Sequence, residues 1–494
     1  MPIEFHDRGD ARTAPALDFM ARGLFIGGQW ASPVSGRSFV SVNPSTGRPL
    51  AEVPYAGPED VDRAVSAAAR AFGEWRRVPL RERARLLEAL ARRIRDEARP
   101  LALLDAVDSG NALKGMVADM HAAADSLEYF AGLVTEIKGE TSSHGPRHLN
   151  LTRRQPFGVV AKLNAFNHPF RFCAEKAAAP LAAGNCVVIK GSEQAPLSSF
   201  RLAELCDGLF PPGVVNVLSG DGLTGAALVA HPLVARIGFI GSVETGRRVA
   251  VAAAEGLKRV TLELGGKNPI VIFPDADPRA AASAALKGMN MNRQGQSCSS
   301  TSRVFVHESL HGPVLDELTR LAAALPIGLP WLEDSELGPV VSERQLRRIL
   351  DLVGSGVAEG ARCVLGGRRS TRPDLADGYF VEPTILDGVE QRMRVAREEI
   401  FGPVMSVITW RDLDAVVEQA NAVTYGLTAA IVTRDLANAM EAAERIDAGY
   451  VWVNSTGRYL GAPYGGWKAS GIGVEECFEE LLSYTQVKNV NLKW

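Results

Sequence analysis

Residues 158–190 read GVVAKLNAFNHPFRFCAEKAAAPLAAGNCVVIK. Two short apolar runs, at 159–161 and 186–189, flank an alanine-rich stretch at 174–183 that has helical spacing. A buried strand, a crossover helix and a second buried strand are the unit of a parallel α/β sheet. We therefore predict an α/β fold from this segment.

The same alternation continues on both sides of the segment. In the first half it predicts further strands at 214–218, 237–240 and 260–264, with helices at 59–98, 116–137, 197–209, 225–230 and 246–254. After Asn268 it predicts strands at 270–273, 303–306, 405–409, 429–432 and 450–454, with helices at 280–289, 310–324 and 343–359. Two α/β domains are therefore expected, one from 1–137 with 153–262 and one from 263–470. Extended pieces in 138–152 and 478–494 are expected to pair as a small β arm.

Composition excludes several classes of protein. The 494 residues carry a formal net charge of −3, with 46% hydrophobic and 22% charged residues, so no basic nucleic-acid surface is predicted. Residues 1–22 lack the basic start and apolar run of a secretory signal, and no stretch is apolar for the length of a membrane span. The six cysteines include no C-x-x-C pair, so neither a disulfide framework nor a metal site is expected. We expect a soluble, cytoplasmic protein with no nucleic-acid or membrane partner.

Three short motifs carry residues suited to covalent catalysis. Cys298 ends the turn-like sequence QGQSC, Glu263 lies at the end of an apolar strand in LELGGK, and Asn167 lies in the turn AFNHP. A thiol, a carboxylate and an amide could act as nucleophile, base and hydrogen-bond donor. Taken singly, the simpler interpretation is favoured for each motif: a buried structural thiol at Cys298, a solvated strand-end carboxylate at Glu263 and ordinary turn chemistry at Asn167.

Three other motifs suit a nucleotide. Lys190 and Glu193 follow a buried strand and could bind ribose hydroxyls, although a solvated ion pair is the simpler interpretation. The sequence GSVETG at 241–246 predicts a strand, a turn and a helix start, and the free N–H groups of a helix start suit a phosphate. The sequence EEIFGP at 398–403, with Glu399 and Phe401, by itself indicates only the end of a helix or turn.

Together and in this order, the motifs closely resemble those of the aldehyde dehydrogenase superfamily. The resemblance extends from about residue 25 to residue 488 and also covers PGVVN at 212–216 and PYGG at 463–466. It implies a Rossmann-type cofactor domain, a second α/β catalytic domain and a small β oligomerisation arm. It also implies NAD(P)-dependent oxidation of an aldehyde through a thioester that water hydrolyses.

The resemblance assigns roles position by position. Cys298 matches the nucleophile, Glu263 the general base and Asn167 the oxyanion donor, while Lys176 lies behind the oxyanion loop. The residues that match cofactor contacts are Lys190, Glu193, Gly241, Ser242, Gly246, Leu264, Glu399 and Phe401. NAD is favoured over NADP because Glu193 would repel a 2′-phosphate, although the nearby Lys190 leaves NADP possible.

The expected substrate pocket departs from the usual family pattern. Its candidate residues are His168, Arg171, Phe172, Arg293, Ser297, Tyr459 and Tyr464, with Glu175 and Arg458 nearby. Because arginine suits bidentate carboxylate binding, one hypothesis is an aldehyde that carries an anionic group. The alternative is that these arginines pair with acids of the protein or face solvent.

Three other functions remain open at this point. A CoA-acylating relative would transfer the acyl group to CoA, although Glu263 favours water. A cysteine hydrolase would require a histidine beside Cys298, for which His168 is the one candidate. A non-catalytic structural member of the family is the third. By resemblance, a homodimer or homotetramer is expected.

Overall fold

The computed structural model describes residues 22–494. Two predictions concern residues 1–21 and therefore lie outside the described range. They are the absence of a secretory signal and the start of the first domain. Four 3₁₀ turns lie between the longer elements, at Val134–Glu136, Met291–Arg293, Glu308–Leu310 and Pro373–Leu375.

The strands are β1 (Leu24–Ile26), β2 (Gln29–Ala31), β3 (Ser38–Asn43), β4 (Arg48–Pro54), β5 (Thr141–Ser143), β6 (His148–Pro156), β7 (Val159–Leu163), β8 (Cys186–Lys190), β9 (Val215–Leu218), β10 (Val234–Ile240), β11 (Arg259–Glu263), β12 (Pro269–Ile272), β13 (Arg303–His307), β14 (Arg362–Leu365), β15 (Thr384–Asp387), β16 (Val404–Trp410), β17 (Tyr425–Gly426), β18 (Thr428–Val432), β19 (Tyr450–Val453), β20 (Trp467–Lys468), β21 (Gly471–Ile472) and β22 (Thr485–Lys493).

The helices are α1 (Pro58–Trp75), α2 (Leu80–Asp96), α3 (Ala98–Ser109), α4 (Leu113–Gly132), α5 (Pro169–Ala183), α6 (Leu197–Cys206), α7 (Gly222–Ala230), α8 (Val243–Glu255), α9 (Pro278–Gly288), α10 (His311–Ala323), α11 (Glu343–Ala358), α12 (Arg394–Arg397), α13 (Leu413–Asn421), α14 (Leu436–Arg445) and α15 (Phe478–Ser483).

The first sheet has the strand order β2-β1-β9-β8-β7-β10-β11-β21. Its central strands, from β9 to β11, are parallel, and every residue of β7, β8 and β9 is buried. The chain runs outward from β7 through β8 to β9 and then returns to β10 and β11. The strand order therefore reverses between β7 and β10, and ligands bind at such a switch point, beyond the carboxyl ends of the strands.

The helices around this sheet start and stop where local chemistry favours it. Ser242 caps α8 by accepting from the backbone N–H of Thr245, and Asp221 caps α7 in the same way from Leu223. Helix α5 begins at Pro169 rather than at residue 174, because proline is favoured in the first turn of a helix. It ends at Gly184, whose φ of +95° is left-handed.

The second sheet has the order β14-β15-β16-β13-β12-β18-β19. Its strands are parallel except for β14, which pairs antiparallel with β15. Apolar clusters lie on both faces of this sheet, as its continuous apolar strands require. The predicted second α/β unit is thus present.

A third sheet joins the two extended pieces that the sequence predicted to pair. Strand β22 runs antiparallel to β6 over nine residue pairs, from Thr485 opposite Pro156 to Lys493 opposite His148, and β5 pairs with the other edge of β6. Strand β6 continues past residue 152, as far as Pro156. None of the helices in residues 22–494 is both long and apolar enough to cross a bilayer.

Candidate active site

One continuous cavity of about 1010 Å³ opens at the carboxyl end of the first sheet. The loops that follow β7, β8, β10 and β11 all contribute to its wall. Ten residues predicted from the sequence line it, namely Asn167, Lys190, Glu193, Gly241, Ser242, Glu263, Leu264, Cys298, Glu399 and Phe401. The structure therefore brings the candidate nucleophile and the candidate nucleotide contacts to one space.

Cys298 lies on the loop between the 3₁₀ turn Met291–Arg293 and β13, where its side chain is almost buried. The residue is 8% exposed, and its sulfur lies 3.6 Å from the hydroxyl of Tyr464. Burial and the neighbouring Glu263 carboxylate raise the pKa of the Cys298 thiol well above its usual value, against the opposing effect of Arg458. In the resting site the thiol is therefore favoured over the thiolate. Any group that stabilises the thiolate has to offset the free-energy cost of burying its charge.

Glu263 is the last residue of β11, and its carboxylate interacts with the Cys298 thiol. Burial raises the pKa of Glu263 to about 7, although the hydrogen bond from Cys298 opposes this rise. Its Oε1 atom is buried without a hydrogen-bond partner in the protein. A carboxylate with a pKa near neutrality and a vacant acceptor atom is suited to take a proton from the thiol or from water.

Asn167 lies in the loop between β7 and α5, which Asn111 fixes by donating from Nδ2 to the Asn167 carbonyl at 3.1 Å. The backbone N–H of Cys298 donates to no protein group within residues 22–494. An amide side chain and a vacant N–H at the same cavity wall can together bind an oxyanion.

Asn268 ties the cysteine loop to the start of β12 and β18 in the second sheet. Its Nδ2 atom donates to the carbonyls of Cys298 at 2.7 Å and of Ser300 at 2.9 Å, while its Oδ1 atom accepts from the N–H of Thr428 at 3.1 Å. A Cβ on Gly266 would lie 2.7 Å from the Cys298 carbonyl, so glycine is required for this approach. The sequence reasoning missed Asn268, whose position beside the GGK motif was its only signal.

The predicted ribose pair lies at the far end of the cavity. Lys190 is the last residue of β8, and its Nζ atom lies 3.5 Å from the carboxylate of the exposed Glu193. Burial lowers the pKa of Lys190, and Glu193 opposes this change. Ser242 and the first turn of α8 form the adjacent wall. Gly246 does not line the cavity but packs beneath Leu264, whose Cδ2 atom would lie 2.6 Å from a Cβ there.

Glu399 and Phe401 also line the cavity, and Glu399 lies beside Gly266, which itself lies against the Cys298 carbonyl. The Glu399 carboxylate accepts from the N–H of Gly266 at 3.0 Å, and burial raises the pKa of Glu399 to about 7. Phe401 has a left-handed φ of +56°, and its ring packs edge-on against Phe166 with centroids 5.7 Å apart. Phe166 belongs to the Asn167 loop, so the two predicted motifs are in contact.

The arginines predicted for the substrate pocket are paired with acids. Asp119 of α4 accepts from Arg293 Nη2 at 2.6 Å and lies 2.7 Å from His168 Nδ1, while Arg171 Nε donates to Glu175 at 2.6 Å. Burial opposes ionisation of Asp119, but Arg293, His168 and Arg171 hold its pKa below the ordinary range. The sequence left open whether these arginines bind an anionic group of the substrate or instead pair with acids of the protein or face solvent. In the structure Arg171 and Arg293 pair with acids of the protein.

His168 is a buried, neutral imidazole. Burial lowers the pKa of His168 to about 4, although Asp119 opposes this change. Its ring packs against the buried Phe172, with centroids 4.8 Å apart. The hydrogen-bonding partners of Cys298 are Glu263 and Tyr464, so His168 does not form the pair that a cysteine hydrolase requires.

The other predicted pocket residues lie in different surroundings. Tyr464 is 2% exposed and contacts the cysteine, whereas Tyr459 is 72% exposed. The hydroxyl of the buried Ser297 lies 3.1 Å from that of Ser299. Of these three side chains, only that of Tyr464 forms a hydrogen bond with the Cys298 sulfur.

Lys176 forms a buried ion cluster behind the Asn167 loop. Its Nζ atom lies 2.7 Å from Glu175, 3.0 Å from Glu475 and 3.7 Å from Glu476. Burial opposes the charge on Lys176, but these carboxylates raise its pKa well above the usual value. The cluster joins α5 to the segment that precedes α15.

The cavity also has walls that the sequence reasoning missed. Gln345 and Arg348 of α11 line it, together with Tyr425 of β17. Arg348 donates to the Glu399 carbonyl at 3.0 Å and Gln345 to the Phe401 carbonyl at 2.8 Å. Gln345 and Arg348 were indistinguishable in the sequence from other side chains of an amphipathic helix, and no motif marked Tyr425. Within residues 22–494, no cluster of His, Cys, Asp or Glu is arranged to hold a metal ion.

The cavity suits a dinucleotide. The first turn of α8 presents backbone N–H groups for a phosphate, and carboxylates capable of accepting from ribose hydroxyls lie at Glu193 and Glu399. Gly265 leaves room beside Glu399, because a Cβ there would lie 2.0 Å from Oε2.

Comparisons with known proteins point in the same direction. A model of the aldehyde dehydrogenase family matches residues 30–490. The aldehyde dehydrogenase tropH of Talaromyces stipitatus is 43% identical over 480 residues, which cover 95% of this chain and 93% of that protein. The NAD+ complex of an aldehyde dehydrogenase from Bacillus cereus is similar with a TM-score of 0.93 at 38% identity, covering 96% of this chain and 97% of that one. Betaine aldehyde dehydrogenase from Staphylococcus aureus in complex with NAD+ gives a TM-score of 0.94 at 34% identity, covering 96% and 95% of the two chains.

Proposed function

The chain belongs to the aldehyde dehydrogenase family, and on that basis we propose that it oxidises an aldehyde to a carboxylic acid with NAD+ through a thioester on Cys298. One observation supports this proposal above others. A single cavity contains the thiol, a carboxylate in contact with it, an amide and a set of nucleotide contacts. The proposal includes the domain boundaries given in the sequence analysis, namely a cofactor domain of 1–137 with 153–262, a catalytic domain of 263–470 and an arm of 138–152 with 478–494. It also includes the residue roles that the resemblance implies.

In the first half of the proposed reaction, the Cys298 sulfur attacks the aldehyde carbon while the thiol proton passes to Glu263. The Asn167 amide and the Cys298 N–H hold the resulting oxyanion; the loss of one such donor costs about 2.7–4 kcal/mol in comparable sites. Bound NAD+ supplies the acceptor for the hydride that leaves this carbon, and a thioester remains on Cys298.

Before the second half, Glu263 releases the thiol proton to solvent, and the ionised carboxylate then removes a proton from water. The water oxygen attacks the thioester carbon, the carbon–sulfur bond breaks, and the carboxylic acid leaves while the electron pair returns to sulfur. The pKa of about 7 for Glu263 suits it to this role near neutral pH.

The proposed cofactor contacts divide between the two ends of the cavity. Glu193 and Lys190 would hold the adenosine ribose, Ser242 and Gly241 the phosphates, and Glu399 with Phe401 the nicotinamide end. NAD+ is preferred over NADP+ because the exposed Glu193 carboxylate would repel a 2′-phosphate, and Lys190 at 3.5 Å offsets part of that repulsion.

The substrate is proposed to be an aldehyde without a formal negative charge. Arg171 and Arg293 face Asp119 and Glu175, so two positive charges are balanced by two negative ones. A further anionic group would have to displace one of these buried acids.

Assembly and location are also proposals. The sheet of β22, β6 and β5 is the proposed contact of a homodimer or homotetramer. A cytoplasmic location is supported by the cysteines, all six of which are unpaired within residues 22–494.

The test is capture of the acyl-enzyme. In Glu263→Gln, mixing aldehyde with NAD+ should add the acyl mass to the peptide that contains Cys298. Cys298→Ala should show no adduct and no turnover, while Cys206→Ala, which removes another buried cysteine, should behave like the parent protein. Turnover by Cys298→Ala at the parent rate would overturn the proposal. An acyl-CoA product on addition of CoA would favour the CoA-acylating alternative, and a protein that is inactive with every aldehyde would favour the structural one.

A further inference from the structure

Tyr464 is the one side chain besides Glu263 that forms a hydrogen bond with the candidate nucleophile within residues 22–494. Its hydroxyl lies 3.6 Å from the Cys298 sulfur, within the range of hydrogen bonds to sulfur, and its side chain is 2% exposed. In the thiol form either atom can be the donor, but a thiolate has no proton to give, so the phenol is the donor once Cys298 is ionised.

Three contacts hold the phenol in place. The backbone of Tyr464 pairs with Glu475 in both directions, at 3.0 and 2.7 Å. Tyr450 packs against its ring with centroids 5.8 Å apart. The Arg458 guanidinium lies over the Tyr464 ring, 3.6 Å from its centroid. It donates a hydrogen bond of 2.8 Å to the Glu476 carboxylate, which holds it there.

We propose that Tyr464 is a further catalytic residue, whose hydroxyl donates a hydrogen bond to the Cys298 thiolate, and that Arg458 positions and polarises it. The inference rests on the proposed function, because it takes Cys298 as the nucleophile. No bond is broken at Tyr464. The proton that leaves the sulfur passes to Glu263, and the phenol keeps its own proton while its O–H group points at the negative sulfur.

The need for such a donor follows from the surroundings of the sulfur. Cys298 is enclosed by apolar groups, including Leu427, and faces the Glu263 carboxylate. Both features disfavour a negative sulfur. A hydrogen bond to a charged atom in a buried site is stronger than one between neutral groups, so the phenol favours the thiolate over the thiol.

Arg458 strengthens this effect in two ways. Its positive charge attracts the thiolate directly, and its position over the ring face draws electron density from the phenol, which makes the hydroxyl a better donor. Arg458 does not contact the sulfur, so it is a positioning residue that acts through Tyr464 and through its charge.

The test measures the thiol itself in the free protein. Parent and Tyr464→Phe proteins would be alkylated with iodoacetamide between about pH 6 and pH 10, and the rate at Cys298 followed by peptide mass spectrometry. Loss of the hydrogen bond should raise the apparent pKa of alkylation by about one unit and slow the reaction about tenfold below that pKa. Tyr379→Phe, which removes a phenol that does not line the cavity, should retain the parent profile.

Two arginine variants extend the test if Tyr464→Phe is unstable. Arg458→Met should raise the apparent pKa of Cys298. Arg458→Lys keeps the positive charge but loses the planar guanidinium that stacks on the Tyr464 ring, so it should raise this pKa less. Parent-like profiles in Tyr464→Phe and Arg458→Met, with Cys298→Ala still inactive, would overturn this inference and leave the proposed function intact. Activity in Cys298→Ala would instead overturn the proposed function.

Discussion

Gly265 lies directly against the carboxylate of Glu399, so close that a Cβ on the glycine would stand 2.0 Å from Oε2. We predict that Gly265→Ala displaces Glu399 from its 3.0 Å hydrogen bond with Gly266 and raises the KM for NAD+. Because a hydrogen bond to a charged group contributes about 1.5–3 kcal/mol, the expected rise is about tenfold or more. The control is Gly73→Ala, since no atom lies within 4 Å of a Cβ at that site. Equal KM values in the parent and Gly265→Ala proteins would contradict the assignment of Glu399.

Replacing the base should separate the two halves of the reaction. In Glu263→Gln, one equivalent of NADH per active site should form in a burst, slower than acylation in the parent protein because the thiol proton must then pass to solvent. Turnover after the burst should be slowed about 10²-fold or more, because general base catalysis is lost from hydrolysis. Stopped-flow absorbance of NADH measures both phases. A linear time course without a burst would show that the thioester does not accumulate.

The pH dependence of turnover should follow Glu263. Because its pKa is raised to about 7, the carboxyl is protonated below that pH and ionised above it. Only the ionised form can take a proton from water, so kcat should rise with pH through about 7 and then level off. Steady-state rates at saturating aldehyde and NAD+ test this, and a kcat that falls as pH rises through 7 would contradict it.

Glu193 should control the choice between the two nicotinamide cofactors. In Glu193→Gln, removal of the carboxylate beside Lys190 should raise kcat/KM for NADP+, by about tenfold if the repulsion is worth about 1.4 kcal/mol. The value for NAD+ should fall, because the ribose hydroxyls lose a charged acceptor. Glu255→Gln, at the far end of α8, should change neither value. An unchanged ratio between the cofactors in Glu193→Gln would exclude this role.

Asp119 should be a determinant of stability. Its replacement by asparagine leaves Arg171 and Arg293 buried without their shared carboxylate, and removal of one partner of a buried ion pair costs about 3–5 kcal/mol. Asp125→Asn on the same helix removes an exposed partner of Arg95 and should cost about 0–1 kcal/mol. Urea unfolding of both variants tests the contrast, and equal midpoints would mean that the Asp119 cluster contributes nothing to stability.

The sequence was informative where a feature is local. Apolar runs predicted the five central strands of the first sheet and five of the seven strands of the second, but not the short or outer strands β1, β2, β14, β15 and β21. The residues at the strand ends, such as Lys190 and Glu263, line the cavity because parallel strands end at one edge. The contacts that the sequence could not predict join distant segments. Asp119 meets Arg293 across 174 positions, and Tyr464 meets Cys298 across 166. Periodicity reports which face of an element is buried, but not which side chain of another element lies opposite it.

The bridge formed by Asn268 has a mechanical consequence. Asn268 follows Glu263 by five positions in the chain, and its side-chain amide donates a hydrogen bond of 2.7 Å to the Cys298 carbonyl. The same side chain accepts from the N–H of Thr428 at the start of β18, so it joins the cysteine loop to both β12 and β18. One amide group thus fixes where the nucleophile stands relative to two neighbouring strands of the second sheet.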